Sequence, residues 1–224
     1  PEAEAPRIEE RLHKVLAQAG LGSRRALEQR IADGLIKVNG EVARTGRSPA
    51  FLQMVRLDGA SGAQPDEFGG TLLSDVITIV EVNRGDETFY VPTTFNDIGR
   101  AEFRVSLKDP GPSAAPTTPS TLNAVTLTRY RVVYRRADGR NTQGVDVPYA
   151  FDGAMTMTVP ASGSASGAFD IVKHTAKNEA PLRALWNVGG AQIINTIAEV
   201  TFWGADQAGN DVTVTGSISI TFSN

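Results

Sequence analysis

Residues 7–47 read RIEERLHKVLAQAGLGSRRALEQRIADGLIKVNGEVARTGR, and this stretch decides how the rest of the chain is divided. Ile8, Leu12, Val15, Leu16 and Ala19 recur at helical spacing and form one apolar stripe. Arg7, Arg11, Lys14 and Gln18 follow the same spacing on a neighbouring, solvated face. Gly20 and Gly22 break this helix, and Ser23 is a good N-cap for a second one, in which Leu27 and Ile31 face inward and Gly34 closes the end. Ile36 and Val38 then alternate with Lys37 and Asn39, Asn39-Gly40 reads as a two-residue hairpin turn, and Glu41-Val42 starts the return strand.

Charge is distributed unevenly around this stretch. The 224-residue chain has a net charge of −3, yet residues 7–47 hold nine Lys/Arg against five Asp/Glu, so the remainder carries −7. A local basic surface governs nucleic-acid attraction more than the whole-chain balance does. Arg24 and Arg25 occupy the first turn of the second helix, where the macrodipole disfavours cations by roughly 0.3–1 kcal/mol. A helix start flanked by two guanidinium groups is, however, well suited to phosphate, and Arg11, Lys14, Arg30 and Lys37 extend the same basic character. A structured RNA is the partner this pattern predicts.

The elements RLHKVLAQAG, GSRR, IADG and VNGEVA together resemble the ribosomal-protein-S-four-like RNA-binding domain, in the version found at the N-terminus of bacterial ribosomal-RNA pseudouridine synthases. The resemblance implies an RNA-facing surface made by Arg11, Lys14, Ser23, Arg24, Arg25, Arg30, Lys37 and Asn39. It also implies a module spanning 7–59 after a short tail at 1–6, closing on the strand Val55-Arg56-Leu57-Asp58-Gly59. Leu52 and Gln53 stand where such domains usually carry a Gly-Asp turn.

The synthases similar to this module carry a separate catalytic domain with a Gly-Arg-Leu-Asp motif. Arg56-Leu57-Asp58-Gly59-Ala60-Ser61 echoes it, but Asp58 falls where the module should end, so it is expected to be a turn residue. No nucleophile elbow, P-loop or dinucleotide fingerprint is present, and no carboxylate pair is placed for acid–base work. With no cysteine and only His13 and His174 as imidazoles, a metal centre is not expected. The reading is therefore a non-enzyme without a cofactor. No apolar run approaches membrane-spanning length, and no leader peptide is visible.

Segment 60–70, ASGAQPDEFGG, has linker composition, and after it the periodicity turns strand-like. Candidate strands are 76–82, 101–107, 125–135, 154–159, 168–172, 194–203 and 212–222, with a polar, Pro-rich loop at 109–121. Such spacing predicts a two-sheet β-sandwich over 71–224. The whole is thus expected to be multidomain, a small α+β helix–helix–hairpin module followed by an all-β domain. Residues 203–210, WGADQAGN, resemble the last hairpin of bacterial immunoglobulin-like surface domains, which implies an immunoglobulin-like sandwich with an adhesive, spacer or assembly role. Asp206, Asn210 and Asp211 are better read as turn residues than as calcium ligands.

Arg129, Arg131 and Arg135 share one strand face and Tyr130 and Tyr134 the other, which predicts a solvated face backed by aromatic core. Strand edges without Pro or Lys guards would be the route to any homo-oligomer. Two functional readings compete. In the first, the basic module binds ribosomal-type RNA without catalysis, in the cytoplasm. In the second, the sandwich carries the function as an extracellular or surface structural element.

Overall fold

A computed structural model describes residues 16–23, 25–27, 30, 35–38, 41–42, 50–62, 69–107 and 119–224. The chain divides into two compact units, Pro1–Pro49 and Ala50–Asn224.

In the first unit, residues 16–18 are helical and the helix closes through Gly20 N–H to Ala17 O and Leu21 N–H to Leu16 O, both 3.1 Å. Gly20 at φ 78° and Gly22 at φ 144° adopt backbone that side-chain-bearing residues avoid. Ser23 then caps the next helical segment, its Oγ accepting the Ala26 N–H at 3.3 Å. Leu27 is buried as its inward spacing predicts. Strands β1 (Lys37–Val38) and β2 (Glu41–Val42) pair antiparallel, with Val38 opposite Glu41.

The second unit contains ten strands among its described residues: β3 (Ala50–Ala60), β4 (Thr71–Asp75), β5 (Thr78–Arg84), β6 (Glu87–Thr93), β7 (Asp97–Leu107), β8 (Val125–Arg135), β9 (Phe151–Val159), β10 (Ser164–Val172), β11 (Ile194–Asp206) and β12 (Asp211–Ser223). They form a three-stranded sheet ordered β10-β7-β3, a five-stranded sheet ordered β4-β12-β11-β8-β9, and a separate β5-β6 ribbon. Pairing is antiparallel throughout except that β4 runs parallel to β12.

The two larger sheets pack face to face because alternate residues along each strand are apolar. Phe103 of β7 meets Phe202 of β11 edge-on with ring centroids 4.9 Å apart, and Phe169 of β10 meets the same ring at 5.2 Å. Tyr130 and Tyr134 are buried, while Arg129, Arg131 and Arg135 face outward, as their strand spacing predicts. The Tyr134 hydroxyl donates to Ile171 O at 2.7 Å, which ties the sheets together with a satisfied polar group. Burial pushes that hydroxyl's pKa well above its ordinary value, so it stays protonated.

Three sequence expectations are corrected. The strand foreseen at 55–59 as the end of the first module belongs to β3, which pairs with β7 in the second unit. Leu52, Met54, Leu57 and Gly59 face the core of that unit, with the bulged Val55 turned outward, so the second unit supplies the burial this apolar run needs. The stretch 60–70 is not a free linker at its ends: Ala60 completes β3 and is buried, and Gly59 and Gly69 exchange backbone hydrogen bonds at 3.1 and 3.2 Å. Residues 63–68, and 108–118 of the Pro-rich loop, lie outside the described residues. Finally, the single strand expected at 76–82 is replaced by β4 and β5, with Val76 and Ile77 buried between them, and β5 turns back into β6.

Candidate nucleic-acid interface

Among the described residues, the first unit holds two helical segments and the β1–β2 pair, on which some of the expected RNA-facing residues fall. Ser23, Arg25 and Arg30 are exposed, and Ser23 and Arg25 sit together at the start of the second helical segment. Capping by Ser23 satisfies the Ala26 backbone N–H there. The backbone of Lys37 lies in β1. Arg11, Lys14, Arg24, Asn39 and the Lys37 side chain lie outside the described residues.

The arginines of the second unit are arranged differently. Arg131 pairs with Asp152 at 2.6 Å, Arg135 with Glu199 at 2.5 Å, and Arg136 and Arg140 share Asp138 at 2.7 and 2.8 Å. The two guanidinium groups hold the Asp138 carboxyl well below the usual carboxylate range. These four arginines are thereby paired with carboxylates of their own unit, which removes them as a phosphate-binding face.

Asp58, expected in a turn, sits instead within β3, buried, with its carboxylate 2.5 Å from Arg56 Nε. Asp206 accepts hydrogen bonds from the Ala208 and Asn210 backbone N–H groups at 2.9 and 2.8 Å and from Asn210 Nδ2 at 2.8 Å. It is a turn residue, as its spacing suggests, and no group of metal-ligating side chains occurs among the described residues.

Sequence spacing missed the Lys177–Asp97 pair. Lys177 Nζ lies 2.8 Å from Asp97 Oδ1 and 2.7 Å from Asp75 O, and both side chains are withdrawn from water. Ser74 Oγ and Gly62 N–H complete the Asp97 shell at 2.5 and 2.9 Å. Burial raises the Asp97 pKa, opposed by the Lys177 ammonium. The cluster pins the start of β7 to β4 and to the short helix His174–Lys177. Residues 80 apart in sequence gave no local signal of it.

Comparison with known proteins locates the resemblance in the first unit. Residues 10–47 match the S4 domain. Over 58 residues the chain is 76% identical to a ribosomal large subunit pseudouridine synthase B of Xanthomonas campestris pv. campestris, which is 26% of this chain and 12% of that protein. The protein of the same name from Xylella fastidiosa is 69% identical over 58 residues, covering 26% of this chain and 12% of its own length. That from Vibrio vulnificus is 51% identical over 53 residues, covering 23% of this chain and 17% of its own. The chain thus spans about an eighth of the length of the first relatives it matches. The N-terminal segment is S4-like, and an S4 domain implies an RNA partner.

Proposed function

We propose that the chain is a non-catalytic RNA-binding protein whose basic first module holds a structured, ribosomal-type RNA. Arg11, Lys14, Ser23, Arg24, Arg25, Arg30, Lys37 and Asn39 form its contact surface. The match of residues 10–47 to the S4 domain carries this reading. The exposed Arg25 and Arg30 and the Ser23-capped helix start agree with it, because phosphate recognition needs accessible cations beside free backbone N–H groups. The non-catalytic reading draws on Asp58, whose carboxylate is engaged by Arg56 within a strand paired into the second unit.

Filter binding of the full chain to a folded ribosomal-RNA fragment, across a range of salt, tests the assignment. Arg24→Ala/Arg25→Ala should weaken binding and lower the salt slope by about 0.9 for each phosphate contact removed. An unchanged affinity and slope would remove those two residues from the surface. Uridine isomerisation by the intact chain, lost in Asp58→Ala, would sink the non-catalytic part alone.

A second reading rests on strand order. The sheet β4-β12-β11-β8-β9 facing β10-β7-β3, with β4 running parallel to the last strand, β12, supports an immunoglobulin-like sandwich. Such domains serve as adhesive or assembly elements, and their edges would be the route to self-association. Recovery of the intact polypeptide outside the cell would favour this reading over the first. No helix among the described residues is long and apolar enough to cross a membrane.

A further inference from the structure

The outer face of the five-stranded sheet carries an open groove of about 620 Å³, lined by Thr126, Thr128, Arg129, Trp203, Asp211 and Thr213 among others. A β-bulge shapes it. Arg129 pairs with Trp203 and Leu127 with Gly204, so Thr128 is the extra residue on β8. Thr128 and Arg129 are therefore both exposed, where strict alternation would turn one of them inward. Gly204 keeps the other side close, since an added Cβ would fall on the Thr126 carbonyl.

The groove holds unused hydrogen-bonding groups. The Arg129 guanidinium rests over the Trp203 ring, 4.4 Å from its centroid, and among the described residues it makes no hydrogen bond or ion pair. The Asp211 carboxylate likewise has no side-chain partner among them. This sets Arg129 apart from Arg131, Arg135, Arg136 and Arg140, each of which is ion-paired.

We propose that this groove binds a neutral saccharide chain, with the Trp203 indole as its apolar surface and Arg129, Asp211 and the threonine hydroxyls as its hydrogen-bonding rim. A sugar hydroxyl both donates and accepts, so it satisfies a lone guanidinium and a lone carboxylate side by side. Arg129 covers one face of the half-buried Trp203 indole, so a sugar ring packs its C–H face on the part of the ring that the guanidinium leaves open. A polyanion fits worse, because Arg129 is the single cation of the lining and Asp206 and Asp211 oppose it. A purely apolar ligand would strand both charges without water.

The chain has two tryptophans, so the full-length Trp186→Phe variant reports Trp203 fluorescence alone. It is titrated with β-1,4-linked hexaoses of glucose, xylose and N-acetylglucosamine and with α-1,4-linked glucose hexaose. Heparin and polyuridylate serve as polyanions. Saturable change with at least one neutral oligosaccharide is expected, with the same affinity for the unaltered chain by calorimetry. Trp203→Ala should abolish that heat, and Asp211→Asn and Arg129→Ala should each weaken binding by about tenfold or more. Ser217→Ala, on the same strand but outside the groove, should bind as the unaltered chain does. The proposal is overturned by no saturable binding to any of the four oligosaccharides, by binding of the polyanions alone, or by full binding in folded Trp203→Ala.

Discussion

Lys177 and Asp97 are both almost wholly removed from water, so their attraction has to offset two desolvation penalties. Their shell is complete: Asp97 accepts from Lys177, Ser74 and Gly62, and Lys177 also reaches Asp75 O. Breaking such a pair leaves one buried charge alone, so Lys177→Met should cost about 3–5 kcal/mol in urea unfolding, while Asp97→Leu/Lys177→Met should cost much less. The pH dependence has a definite sign. Burial raises the folded-state pKa of Asp97 above its ordinary value of 3.8, so folding takes up a proton between those two values. Relative to the double variant, wild-type stability should be greatest below the unfolded pKa and decline as pH rises through the folded one. A relative rise over that acid window would mean that the Lys177 ammonium outweighs burial. None of this was legible beforehand, because lysine and aspartate in sequence read as surface residues and only the assembled strands withdraw them.

At the scale of elements, local chemistry and long-range pairing contributed unequally. The Ser23 cap, the Gly20-Leu21-Gly22 break and strand β8 at 125–135 were readable because each follows from a few adjacent residues. Strand β3 was misassigned because AFLQMVRLDGA is an apolar run that fits either unit, and only pairing with β7 settles which one buries it. Strand β6 escaped, and β5 was foreseen only in part by the strand at 76–82, because both faces of their ribbon stay largely exposed, leaving no alternation between buried and solvated sides. The Arg129–Trp203 groove was hidden for a related reason: a bulge at Thr128 sets the register between strands that are far apart in sequence. Gly204 permits that register, and its Cβ would collide with backbone, which cannot swing aside as a side chain can. Gly204→Ala should therefore destabilise the second unit by about 1–3 kcal/mol and blunt the Trp203 environment. A urea midpoint and near-ultraviolet circular dichroism check both, and an unchanged midpoint would mean the strands part without cost.

The whole chain joins a basic module to a far larger second unit whose core is its own. The S4 match ends at residue 47 and the second unit begins at Ala50, so the functional and structural divisions nearly coincide. Composition alone placed the division near 60–70, because Gly, Pro and Ser there outweigh the apolar signal of the preceding strand. Removing β3 would leave β7 with one neighbour, uncover Phe103 and Ala101 from that side, and strip Leu52 from the core. A polypeptide of residues 50–224 should thus unfold cooperatively with the same midpoint as the second unit in the full chain. One of residues 71–224 should bind the dye ANS and lose its sharp transition. The comparison discriminates cleanly, since the two fragments differ by one strand and its connection. If residues 71–224 alone matched the midpoint of 50–224, β3 would be an accessory to the second unit, and the boundary of its core would move to β4.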